Sequence, residues 1–139
     1  MIAFSITKRN EQMSTRATYQ IKSGFSTATI YIHHDGYPSG AADYFMKAEF
    51  LQEKTDRSFL NCFLWANKGA EITESHEVHG DTEYRYNLYR SNNIWRIEAL
   101  KRPNYASDQF EVFFTGKLGE FYFNHMADTP LVMDSGVKW

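Results

Sequence analysis

Soon after the start of the chain, apolar and polar positions alternate with a period of two. Ala17, Tyr19 and Ile21 alternate with Thr18, Gln20 and Lys22, and Ala28, Ile30 and Ile32 alternate with Thr27, Thr29 and Tyr31. Alternation of this kind marks strands with one buried face. Ser23-Gly24-Phe25-Ser26 supplies a turn, so the two runs predict an antiparallel hairpin. The pattern then changes. Asp35-Gly36 and Pro38 force a loop, and Ser39 is suited to cap a helix. Ala41, Tyr44, Phe45, Ala48 and Leu51 recur at three- and four-residue spacing, which predicts a helix over about 40–54. A second helix, over about 57–67, rests on Phe59, Leu60, Phe63, Leu64 and Ala66, with Asp56 before it and Gly69 after it.

Beyond residue 70 the reading returns to strands. They are expected from Ala70 to Val78, Thr82 to Arg90, Ile94 to Lys101, Phe110 to Thr115 and Leu118 to His125. The turns between them are His79-Gly80-Asp81, Ser91-Asn92-Asn93, a loop from Pro103 to Asp108, and Gly116-Lys117. Helices inserted into a run of hairpins imply an α+β fold, an antiparallel sheet with both helices packed on one face. Residues 1–12, ending in Lys8-Arg9-Asn10-Glu11-Gln12, read as an N-terminal extension, with Met13 a candidate alternative start. Residues 13–128 read as a single domain, and 129–139 as a tail whose Leu131-Val132-Met133 is expected to tuck onto the body.

Composition adjusts this picture in a few places. With 139 residues the chain is about one domain. The 17% aromatic content favours pleated, half-buried surfaces. A formal charge of −2, with Lys and Arg scattered, gives no basic stripe and disfavours nucleic acid as a partner. Cys62 is the only cysteine, which rules out an intrachain disulfide and suits a reducing compartment. No apolar run approaches the roughly 18 residues of a membrane-spanning helix, and the first residues lack the order of a signal peptide. A cytoplasmic protein without membrane contact is expected.

Candidate chemistry concentrates in two loops. In His33-His34-Asp35-Gly36-Tyr37, a strand would place His33 and Asp35 on one face, where a base and a carboxylate serve proton transfer. The plainer reading is a turn with half-exposed histidines. In His76-Glu77-Val78-His79-Gly80-Asp81, the histidines would point to opposite faces of a strand, and a hairpin turn with solvated side chains is the simpler account. No metal site and no cofactor is expected from either loop. Ser14 would become an N-terminal nucleophile only if Met13 were the start and were removed. Tyr84-Arg85-Tyr86-Asn87-Leu88-Tyr89-Arg90, facing Trp95-Arg96, offers aromatic and basic groups for stacking bases. The competing expectation buries Tyr84, Tyr86 and Leu88 under the helices and pairs Arg85 and Arg96 with Glu83 and Glu98. No P-loop, dinucleotide fingerprint, nucleophile elbow, CxxC pair or HExxH occurs.

Met13-Ser14-Thr15-Arg16, together with Ile30-Tyr31-Ile32-His33-His34-Asp35-Gly36-Tyr37-Pro38, resembles a group of small proteins of phages, prophages and other mobile elements. Those proteins begin with an "MSTR" segment and carry an "IYxHxDGYP" loop. His79-Gly80-Asp81-Thr82-Glu83-Tyr84-Arg85-Tyr86 is similar to their later part, so the resemblance covers roughly residues 13–90. His34 stands where an aromatic often stands in the group, and the first twelve residues lie outside the shared pattern. The resemblance implies a small accessory protein acting inside a bacterial cell, and it brings no catalytic residues with it. The leading expectation is a binding protein, for instance an inhibitor, that recognises a host or phage protein or a small ligand. The expected binding residues are His33, His34, Asp35, Tyr37, His79, Asp81 and Arg85. The alternative is a small hydrolase or metal-dependent enzyme using the His33-Asp35 and His79-Asp81 loops, with His33 and Asp35 the catalytic candidates. A homodimer is compatible with long aromatic strands.

Overall fold

The computed structural model describes residues 15–67, 69–104 and 106–126. The proposed extension, the Met13 start, Ser14 and the 129–139 tail lie outside the described residues. The architecture is α+β, a six-stranded and largely antiparallel sheet with helices on one face. Strand β1 (Ala17–Ser23) and β2 (Ser26–Ile32) form the expected hairpin, pairing Ala17 with Ile32 and Ser23 with Ser26. Their two-residue turn needs positive φ at its first position, and Gly24 takes it at 62°. Helix α1 (Pro38–Lys54) follows. It begins earlier than Ser39 suggested. Tyr37 is the cap residue and Pro38 enters the first turn, where its fixed φ fits and its missing N–H is not needed. Helix α2 (Phe59–Ala66) is capped by Ser58, whose hydroxyl accepts from the Asn61 N–H at 3.1 Å.

Two expected strands are corrected by the structure. Only Glu71–Thr73 of the 70–78 run is extended, as the short edge strand β3, and His76–Val78 winds into a 3-10 turn. Residues 118–125, read as a strand, form helix α3 (Leu118–Met126). The Gly116-Lys117 turn is absent because both residues belong to β6 (Glu111–Lys117). At that junction the Glu120 carboxylate reaches back to accept from the Lys117 N–H at 2.8 Å, which satisfies a donor at the helix start. Strands β4 (Tyr84–Ser91) and β5 (Ile94–Lys101) form a hairpin through Asn92 and Asn93, both at positive φ.

The sheet order is β3-β2-β1-β4-β5-β6. All pairings are antiparallel except β1 with β4, which run parallel. Helices α1, α2 and α3 cover the face bearing Tyr19, Ile21, Ile30, Tyr86, Leu88 and Ile97, all at most 1% exposed. Across the parallel seam, Tyr19 and Tyr86 stack at 5.1 Å, and Phe45 of α1 meets both rings edge-on. Phe63 of α2 and Phe121 of α3 close the same cluster. Aromatic pairs of this kind add roughly 0.5–1.5 kcal/mol each beyond their buried area. Tyr84, Tyr86 and Leu88 therefore sit under the helix layer and are not a stacking platform. Among the described residues, no helix is long and apolar enough to cross a membrane.

Candidate functional site

Pairing and alternation place the remaining strand residues on the second face in rows that run across the sheet. One row is Glu71, Tyr31, Thr18, Arg85, Leu100 and Val112. The next is Thr73, Thr29, Gln20, Asn87, Glu98 and Thr115. A third contains Thr27 opposite Lys22, and Tyr89 opposite Arg96 opposite Lys117. β3 lies at one edge and β4 beyond β1, so the chain between them must cross β2 and β1. This crossover, residues 74–83, lies over the second face at its Thr18 end.

His76, on the 3-10 turn of that crossover, is the most deeply placed histidine at 8% exposed. Its Nδ1 lies 2.6 Å from Thr18 Oγ1 and its Nε2 lies 2.7 Å from Asn87 Oδ1. The network fixes the proton positions. The Glu98 carboxylate accepts from Asn87 Nδ2 at 3.0 Å, so the Asn87 oxygen faces His76. His76 then donates from Nε2, and in the neutral imidazole that burial favours Nδ1 accepts the Thr18 hydroxyl proton. Burial lowers the His76 pKa below the usual imidazole value, partly opposed by the Asn87 hydrogen bond. Although it pairs a hydroxyl with an imidazole, the arrangement is a strut, because Thr18 is fully buried and no substrate atom can reach it.

The two predicted loops meet around Tyr31. Its ring stacks on His79 at 3.7 Å and 6°, and His33 meets it edge-on at 4.6 Å. Its hydroxyl donates to Asp81 Oδ2 at 2.7 Å, and Arg16 Nε lies 3.2 Å from the same oxygen. Burial, reinforced by Asp81, raises the Tyr31 phenol well above its ordinary value. His33 Nε2 lies 2.6 Å from Glu71 Oε2, and His79 Nε2 lies 3.0 Å from Thr73 Oγ1. Arg102 supports this loop from behind. Its buried guanidinium donates to the carbonyls of Thr82 (2.9 Å), Gly80 (2.6 Å) and Ser107 (2.9 Å), which holds both neighbours of Asp81.

Asp35 does not join His33. The strand ends before it, and Asp35 adopts φ of 58°, so its carboxylate turns toward the helix layer. There it accepts from Tyr37 at 3.1 Å and Tyr44 at 3.4 Å. Burial first, and then the Asp35 charge, raise both phenols above the usual range. Gly36 is pressed against β1, with its N–H donating to the Thr15 carbonyl and its own carbonyl accepting from Tyr86 at 2.6 Å. A Cβ on Gly36 would stand 2.7 Å from the Ala17 methyl, and one on Gly40 would overlap the Asp35 carbonyl. His34 is exposed, and its carbonyl accepts from Tyr44. Among the described residues, neither Arg85 nor Arg96 forms an ion pair with Glu83 or Glu98; Arg85 is placed otherwise. It meets Glu77 at 3.6 Å and lies over the Phe110 ring at 3.9 Å.

Among the described residues, no three His, Cys, Asp or Glu side chains converge as metal ligands. The crossover and Phe110 cover the Thr18–Arg85 end of the second face. Its other end holds a shallow depression of about 400 Å³ lined by Gln20, Lys22, Asn87, Tyr89, Glu98 and Thr115. Of these residues, Asn87 and Tyr89 belong to the stretch that the sequence offers for base stacking, and the sequence singles out none of the others. Comparison with known proteins finds no matching family model, no matching curated protein and no matching solved structure.

Proposed function

We propose that this chain is a binding protein, an accessory factor of a phage or other mobile element, that recognises a host or phage protein or a small ligand. Its binding surface is the uncovered half of the second sheet face. The observation that carries this reading is the asymmetry of the sheet. Three helices occupy one face, while the far end of the other keeps a shallow depression lined in part by Lys22 and Tyr89, with Arg96 and Lys117 beside it in register. The histidines support it too, since His33, His76 and His79 each have a ring nitrogen engaged by a neighbouring side chain. The test is retention from bacterial lysate on the tagged full chain, compared with Lys22→Glu/Lys117→Glu and with Lys47→Glu on helix α1. The expected result is a stoichiometric partner or ligand kept by wild type and the α1 variant and lost by the sheet variant. Recovery of nothing, or equal recovery by all three, refutes the reading.

Convergence of His33, His79 and Asp81 on Tyr31 favours a second reading, hydrolysis at that cluster. It requires turnover of ester, phosphoester or amide substrates that His79→Ala abolishes while the melting temperature holds.

A further inference from the structure

Arg96 and Lys117 are direct cross-strand partners on the second face. Like charges in that relation repel, because their Cβ atoms stand only about 5 Å apart. Among the described residues neither forms an ion pair, and Lys22 forms none. The carboxylates nearest in register, Glu98 and Glu120, accept from Asn87 Nδ2 and from the Lys117 N–H and form no ion pair with either cation. Arg96 and Lys117 thus face each other with no carboxylate bridging them, and an anion set between them would relieve their repulsion. Tyr89, 39% exposed, stands beside Arg96 in the same row. The adjoining row gives Gln20 and Glu98, whose amide and carboxylate groups can hydrogen-bond a heterocycle or a sugar.

Resting on the binding reading above, we infer that the site formed by Lys22, Tyr89, Arg96 and Lys117 with the adjoining depression binds a free nucleotide. Arg96 and Lys117 hold its phosphates, Tyr89 offers a stacking face to the base, and Gln20 meets its polar edge. The extent of the row decides between free nucleotide and polymer. Four strands at about 4.8 Å spacing span roughly 14 Å, which matches one or two nucleotides. A groove that tracks a strand takes about 4–16. The depression of about 400 Å³ lies within the range of small-ligand sites.

The test is calorimetric titration of the full chain with each of the four ribonucleoside triphosphates, with inorganic phosphate, and with single-stranded oligonucleotides of increasing length. At least one triphosphate is expected to bind, more weakly as salt rises from about 50 to 300 mM. Arg96→Gln and Lys117→Gln each reduce its affinity about tenfold or more, as loss of a charge-assisted hydrogen bond predicts. Tyr89→Ala weakens the nucleotide and leaves phosphate unchanged, while Lys47→Gln on α1 changes neither. Lys117→Gln also raises the melting temperature of the unliganded protein, since it removes the repulsion. No binding at millimolar ligand, binding indifferent to Arg96 and Lys117, or a lower melting temperature in Lys117→Gln overturns the inference. So does affinity that climbs with strand length, which assigns the surface to nucleic acid. If no nucleotide binds while the lysate partner is still lost in the sheet variant, this inference fails and the binding function stands.

Discussion

Acid should weaken this protein through His76 before its carboxylates titrate. Burial favours the neutral imidazole in the fold, with Nε2 donating to Asn87 and Nδ1 accepting from Thr18. Adding a proton at Nδ1 turns the acceptor into a donor and places a charge where burial disfavours it. Burial holds the folded pKa below the usual imidazole value of about 6.5, so the unfolded chain binds the proton first as pH falls. Stability follows the difference in bound protons, and it therefore declines as pH drops from the unfolded value toward the folded one. From about pH 7.5 to about pH 5.5 the unfolded state gains at most about 1.4 kcal/mol from this one site, if the folded imidazole stays neutral throughout. The measurement is urea unfolding across that window for wild type and for His76→Gln, which cannot titrate. All other groups are shared, so the wild-type stability minus the variant's isolates His76. That difference should fall toward acid by up to about 1.4 kcal/mol. A flat difference, or one that rises toward acid, refutes the proton assignment and with it the strut.

Other perturbations test the remaining supports. Arg102→Ala removes three charge-assisted hydrogen bonds to carbonyls and should cost on the order of 3–5 kcal/mol in urea unfolding. Arg102→Lys restores the charge without the planar fork and should recover only part of the loss. Gly40→Ala forces a methyl onto the Asp35 carbonyl and should destabilise by about 1–3 kcal/mol, seen as a lower denaturation midpoint. Tyr31→Phe keeps the His79 stack but loses the bond to Asp81. A cost of about 1 kcal/mol is expected, because Arg16 still holds the carboxylate.

Local patterning made much of the fold legible. β1, β2, β4 and β5 follow from alternation, and α1 from its three- and four-residue spacing, since each buries one face against the same core. Helix α3 was hidden by composition. Phe121, Tyr122 and Phe123 have strand propensity, yet Leu118, Phe121, Tyr122 and His125 also fall at helical spacing. Burial of Leu118 and Phe121 against the aromatic cluster decided the outcome. The parallel pairing of β1 with β4 had no local signature, because it depends on the chain passing through both helices and β3 first. In the site, the histidines and Asp81 could be singled out by type, but their meeting through Tyr31 could not. Asp35 would share a face with His33 only on a strand that ran through it, and its positive φ ends the strand first, in keeping with the plainer turn reading. The Lys22, Arg96 and Lys117 row is invisible without register, since the three residues are distant in sequence and adjacent only once β1, β4, β5 and β6 are paired.

The parallel seam also bears on how the chain reaches this state. The β1-β2 and β4-β5 hairpins close short loops and can form early, whereas joining β1 to β4 requires closing the long segment between them. Until that step, both hairpins present a strand edge with no partner, the condition in which edges find the wrong chain. Docking of Tyr19 against Tyr86 is therefore expected to limit the rate. Substitutions at that stack should slow refolding more than they hasten unfolding. Substitutions in the turns at Gly24 or Asn92-Asn93 should leave the slow step almost untouched.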